Sequence, residues 1–165
     1  MKAGTVTQIK KKKLIKQLEL KIPPPVQALI CMGLMKIIAL GDTQFILSKR
    51  LYVFLYISSL GGLFALWAVF DCYRNKTTIH PQNPQKTNCL ITLGAFRFSR
   101  NPMYLGLYVS LLGWGIYLGN FGAILFSTGF PFAITVLQIL PEERILAKKF
   151  GSRYRKYTEE VRRWI

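Results

Sequence analysis

The sequence predicts an all-α integral membrane protein: about four transmembrane helices, two of them paired as a helical hairpin, plus an amphipathic cytosolic C-terminal helix. Three observations predict it. The chain of 165 residues is 51% apolar yet carries 23 Lys and Arg against 7 Asp and Glu, a net charge of +16. Those charges are segregated rather than interleaved: the 41 residues from Asn101 to Pro141 hold none, nor do the 20 from Leu51 to Phe70. Runs of that length exceed the about 14 apolar residues typical of a buried helix in a soluble domain, and they also exclude disorder. With three cysteines at no paired spacing and one histidine, His80, neither a disulfide scaffold nor a zinc site is expected.

The elements follow in order. Residues 1–25 form a basic cytosolic segment with its own run Lys10–Lys13, ending in Ile22-Pro23-Pro24-Pro25, where fixed φ angles impose an extended lead-in. Its positive run reads as a topology anchor against anionic lipid; without aromatic interleaving it does not read as a nucleic-acid arm. No small-residue cleavage site follows the first apolar stretch, so no cleavable signal peptide is expected. The membrane-embedded domain is 26–165. Its first span, 26–41, is short, is interrupted by Lys36 and is followed by Asp42; a re-entrant or interfacial helix is the alternative. A helix rises 1.5 Å per residue and about 20 residues cross the hydrocarbon core, so 51–70 is a full span. The long uncharged run divides at Gly119-Asn120 into 102–118 and 121–140, with a kink expected at Pro131. Gly115 and Gly119 read as small residues permitting close helix contact. In the tail 141–165, Leu146, Phe150, Tyr154, Tyr157, Val161 and Trp164 recur at helical steps, with seven of the tail's eight cations between them.

Charge sets the orientation. Residues 1–21 carry seven cations, 71–100 five and the tail eight, whereas the opposite side holds only Lys49 and Arg50. The positive-inside rule therefore puts both termini and the 71–100 connection in the cytosol.

A tight hairpin returns its second helix to the level where its first began. Arg100, Asn101, Glu142 and Glu143 should thus meet at one membrane interface. Capping offers a plainer account: Asn101 before Pro102, and two glutamates after Pro141, suit helix N-termini.

The residues Thr92, Gly94, Phe96, Arg100, Asn101, Pro102, Tyr104 and Gly106, then Glu142, Glu143, Phe150, Gly151, Tyr154, Tyr157 and Val161, resemble the two-part motif of the isoprenylcysteine carboxyl methyltransferase family and its phospholipid methyltransferase relatives. The likeness runs from about Asp71 to the C-terminus. It implies a membrane-embedded enzyme that uses S-adenosyl-L-methionine, with its active site on the cytosolic side, expected in a bacterial cytoplasmic membrane, and a lipophilic substrate entering from the bilayer. Membrane lipids are the implied partners, and no nucleic acid or metal. Carried over by position, cofactor contacts fall on Asn88, Cys89, Leu90, Ile91, Phe96, Asn101, Pro102, Met103, Tyr104 and Glu142. Catalytic roles fall on Arg100, Gln138 and Glu143. A carboxylate such as Glu142 can hold an ammonium, and aromatic faces such as Phe96 and Tyr104 can hold a sulfonium or a base. Two positions depart from the pattern: Asn101 stands for the usual His, and Gln138 for an Arg that contacts substrate. A neutral amide cannot pair with a carboxylate as Arg does. The alternatives are a phospholipid headgroup N-methyltransferase and a non-catalytic small membrane protein or transporter.

Overall fold

A computed structural model describes residues 19–40, 47–77 and 87–165. The Lys10–Lys13 run, Asp42 and His80 lie outside them. Among the described residues every regular element is helical: α1 Pro24–Ile38, α2 Leu47–Arg74, a 3-10 turn Gly94–Arg97, α3 Pro102–Leu118, α4 Phe121–Ser127, α5 Gly129–Ile134, a π turn Thr135–Ile139 and α6 Leu140–Glu160. Two helical stretches, Lys49–Arg74 and Phe121–Glu160, are long and apolar enough to cross a membrane; α1 and α3 are shorter apolar helices. Large apolar side chains such as Leu29, Leu63, Leu66, Phe70, Phe121 and Phe132 point outward and are more than half exposed. Water does not tolerate apolar surface on that scale, so the fold is that of a membrane protein.

Glycine makes the central helix pair possible. A Cβ on Gly61 of α2 would lie 2.6 Å from the Gly106 carbonyl oxygen of α3, and Ala65 fills the next small position. The backbones therefore touch, which is how membrane helices gain packing without a hydrophobic drive. Gly115 was expected to permit such contact and does: a Cβ there would meet Ile124 Cγ1 at 2.8 Å. Gly119 has another job. Its φ of 65° closes the C-terminus of α3, with its N–H donating to the Gly115 and Ile116 carbonyls. Asn120 then caps α4 by accepting from the Ala123 N–H at 2.7 Å, which makes the tight turn of the hairpin.

The returning arm is not one straight helix. It breaks at Thr128, just before Pro131, whose ring cannot donate to the preceding turn. The Thr135 hydroxyl donates to the Pro131 carbonyl at 2.6 Å. A π turn follows, closed by the Leu140 N–H on the Thr135 carbonyl. Ile139 keeps helical dihedrals (φ −64°, ψ −49°), so α6 continues the arm instead of starting afresh. The capping account of Pro141-Glu142-Glu143 is thereby corrected: no side chain caps that helix. Nor does the Asn101 side chain cap α3.

Tyr154, Tyr157 and Val161 are buried, with Leu90, Leu146 and Phe150 packed against them. The chain turns sharply at Gly151 (φ 53°, ψ −125°), a conformation open to glycine. After Glu160 it leaves the helix and Trp164 packs into the main core.

Candidate functional site

Three stretches converge at the end of the bundle where α3 begins and α6 continues. The first is the loop leading into α3. Its Gly94 has φ 64°, and a Cβ would strike the Asp71 carboxylate. Asp71 instead accepts the Ala95 N–H at 2.9 Å. Glycine is thus required twice over, by the dihedral and by the close approach. The Tyr157 hydroxyl donates to the Phe96 carbonyl at 2.7 Å, tying α6 to the same turn. Thr77 accepts the Asn88 N–H at 3.0 Å, which fixes the next stretch of loop.

The second stretch is the first turn of α3 and the third is the first turn of α6. They meet where the Tyr104 hydroxyl donates to Glu142 Oε1 at 2.6 Å. Burial pushes the Glu142 carboxyl up to about 8; the Tyr104 hydrogen bond opposes that rise and the Glu143 charge adds to it. Glu143, one residue on, is bound differently. Arg163 donates to it from Nε at 3.1 Å and from Nη2 at 2.8 Å. Arg100 Nη2 lies 3.3 Å from its Oε1. The Tyr154 hydroxyl also reaches the Arg100 guanidinium, whose Nε is buried without an acceptor.

These groups wall an open-sided pocket of about 890 Å³, mouth and adjoining solvent included. Of the sequence-predicted cofactor residues, Cys89, Leu90 and Ile91 line it from the loop and Phe96 from the 3-10 turn. Asn101, Pro102, Met103 and Tyr104 line it from α3, and Glu142 from α6. Arg100 and Glu143 are in the wall too. Asn88 is not; it braces the loop from behind, donating to the Lys76 carbonyl at 3.3 Å.

Gln138 is also absent from the wall. It is fully buried, and its Nε2 donates to the Ile22 carbonyl at 2.6 Å. The expectation that it shares a face with Glu142 assumed an unbroken α-helix, and the π turn intervenes. With i→i+5 bonding in that turn, a four-residue step no longer returns to the same face as it does in an α-helix.

Sequence reasoning missed several wall residues. Tyr154 and Tyr157 belong to the quoted motif and to the apolar face of the tail, but were not taken as site residues. Their helical spacing was the available signal. Cys72, Thr77 and Thr87 carry no signal of their own.

Comparison with known proteins decides the family. Residues 50–153 match the phospholipid methyltransferase family, well over half of the chain. The chain belongs to that family. An uncharacterised protein of Haemophilus influenzae is 46% identical over 63 residues, 38% of this chain and all of that one. The protein-S-isoprenylcysteine O-methyltransferase of Schizosaccharomyces pombe is 32% identical over 76 residues, 46% of this chain. That stretch spans only 32% of the yeast protein. No solved structure matches. Family membership implies a methyltransferase, and with the outward apolar surface it makes the chain a membrane methyltransferase. The pocket lies inside the matched segment apart from Tyr154 and Tyr157.

Proposed function

We propose that the chain is an integral membrane methyltransferase that binds S-adenosyl-L-methionine in this pocket and methylates a lipid or isoprenoid-type acceptor. The observation that carries the reading is the buried Glu142 carboxyl held by Tyr104 in the pocket wall. A carboxyl raised to about 8 by burial gains most from a ligand that brings a positive charge. The amino-acid end of the cofactor has an ammonium for Glu142 and a carboxylate for the Arg100 end, so the residues present fit the group. Phe96, Met103, Leu90 and Ile91 offer apolar and aromatic surface for the remainder.

When bound, the cofactor supplies an electrophilic methyl on a sulfonium. This chain's residues then have three tasks. Glu142 and Tyr104 hold the cationic end. Arg100, with Glu143 behind it, holds the anionic end and charges that side of the wall. The apolar wall excludes water and keeps the partners in line, which accounts for much of the rate in a displacement of this kind. A carboxylate or thiolate acceptor needs no base. Glu143 has both oxygens engaged by arginine and is a poor acceptor for a proton, which favours such a nucleophile over an amine. Gln138 acts on the site only through the Ile22 segment that it anchors. A headgroup N-methyltransferase is the second reading, supported by the description of the family.

The proposed topology has four spans, α1, α2, α3 and the α4 to π-turn arm, with both termini and the pocket on the cytosolic side of a bacterial cytoplasmic membrane. The acceptor reaches the pocket from the bilayer, and membrane lipids surround the bundle. Incubating purified protein with methyl-labelled S-adenosylmethionine and a membrane lipid extract tests the reading. Label is expected in an extractable lipid methyl ester or methyl thioether. Label in an amine headgroup establishes the second reading, and no transfer at all leaves a non-catalytic membrane protein.

A further inference from the structure

The last residues of the chain fasten the pocket. The Arg162 carbonyl accepts the Arg100 N–H at 3.1 Å. The Arg163 carbonyl accepts Asn101 Nδ2 at 2.9 Å and the Ser99 hydroxyl at 3.3 Å. Ser99 Oγ in turn accepts the Asn101 N–H at 3.1 Å. Three consecutive residues at the start of α3 are therefore held by two residues 62 or more positions away, and Ser99 is fully buried. The Arg163 side chain then closes the loop by gripping both oxygens of Glu143. Arg163 does not itself line the pocket.

We infer that Arg163 is a positioning residue: by occupying Glu143 it prevents that carboxylate from claiming Arg100, and so keeps the Arg100 guanidinium available for an anionic group of the pocket's ligand. Charge counting supports this. Glu143 alone with Arg100 would form a neutral, two-pronged pair, the geometry that guanidinium and carboxylate favour. With Arg163 added, one negative charge faces two positive ones. Arg100 then spends Nη2 on Glu143 at 3.3 Å and also meets the Tyr154 hydroxyl, but has an Nε with no acceptor. A buried donor without a partner is costly unless something supplies one. Glu142 stands at the other end of the same wall. The site has an ionisable carboxyl at Glu142 and a positive charge at Arg100, to suit a zwitterion such as the amino-acid end of the cofactor, whose ammonium would favour ionised Glu142. This inference rests on the cofactor-pocket reading for the name of the ligand, not for the state of Arg100.

A charge-removal series tests it in full-length protein in detergent. Calorimetric titration with S-adenosylhomocysteine compares wild type, Arg163→Gln and the double variant Arg163→Gln/Glu143→Gln. Arg163→Gln should weaken binding roughly tenfold, because Arg100 is captured by Glu143. Removing the captor should recover most of that loss in the double variant. If Arg163 is only a clamp, the double variant binds no better than the single one, and the inference is overturned. A second measurement needs no ligand. Modification of Arg100 by phenylglyoxal, mapped by mass spectrometry, should slow in Arg163→Gln and return in the double variant; equal rates in all three proteins also overturn it. Wild-type protein that ignores S-adenosylhomocysteine but shows the modification pattern would defeat the cofactor reading and leave the Arg163 assignment standing.

Discussion

Glu142 and Glu143 are adjacent in sequence and opposite in circumstance. Glu143 is met by two guanidinium groups, and Glu142 by a single neutral hydroxyl. A charged hydrogen bond contributes about 1.5–3 kcal/mol, so Glu142→Gln should weaken S-adenosylhomocysteine binding roughly tenfold to a hundredfold in calorimetry. Unchanged affinity would reduce Glu142 to a structural residue. The same carboxyl sets a pH dependence. Its pKa is raised by burial from 4.5 to about 8, so the folded state binds the proton more tightly than the unfolded chain. That contribution is complete below 4.5 and is lost as the pH rises towards about 8. The melting temperature of ligand-free protein should accordingly fall across that window, and the slope should flatten in Glu142→Gln. Either carboxyl could be suspected from sequence, since both follow the apolar run. Which one is solvated by arginine was not legible, because Arg163 sits 20 residues on and no local pattern links it to Glu143.

At the scale of elements, the α2–α3 pair depends on missing side chains. Gly61→Val should push the helices apart, since its first atom would meet the Gly106 backbone at 2.6 Å. Overpacking of this kind costs about 1–3 kcal/mol. A lower melting temperature in detergent is expected. Gly62→Ala, one position along, meets nothing within 4 Å and should be tolerated; equal damage from both would mean that the contact contributes little. The hairpin was legible because an uncharged run of 41 residues with Gly-Asn near its middle has few other solutions. Its caps confirm the turn at Gly119 and Asn120. The π turn was not legible. Around it meet Pro131, the Thr135 hydroxyl bonded to the Pro131 carbonyl, and Ile134 and Ile139, both fully buried. Composition alone does not weigh those local constraints, and so the bond from Gln138 to the Ile22 carbonyl was not foreseen.

For the whole molecule, twenty cations on one side against two on the other predict the orientation. A reporter active only in the cytosol should work when fused after Ile165 and fail when inserted at Gly119-Asn120; a periplasmic reporter should give the reverse. The opposite result would invert the proposed topology. The sequence by itself determined the helical class, the apolar stretches, the hairpin turn and the family, because each is written in local runs whose length and spacing suffice. It also singled out most of the pocket wall, since Arg100 to Tyr104 and Glu142 to Glu143 are contiguous motifs at the two ends of a hairpin. Tertiary structure alone decided how those motifs are used. It set Tyr104 against Glu142, gave Glu143 to Arg163, turned Gln138 towards Ile22 and brought Tyr154 and Tyr157 under the loop. Each of these joins residues distant in the chain, so its energy depends on burial and close contact created only when the helices pack.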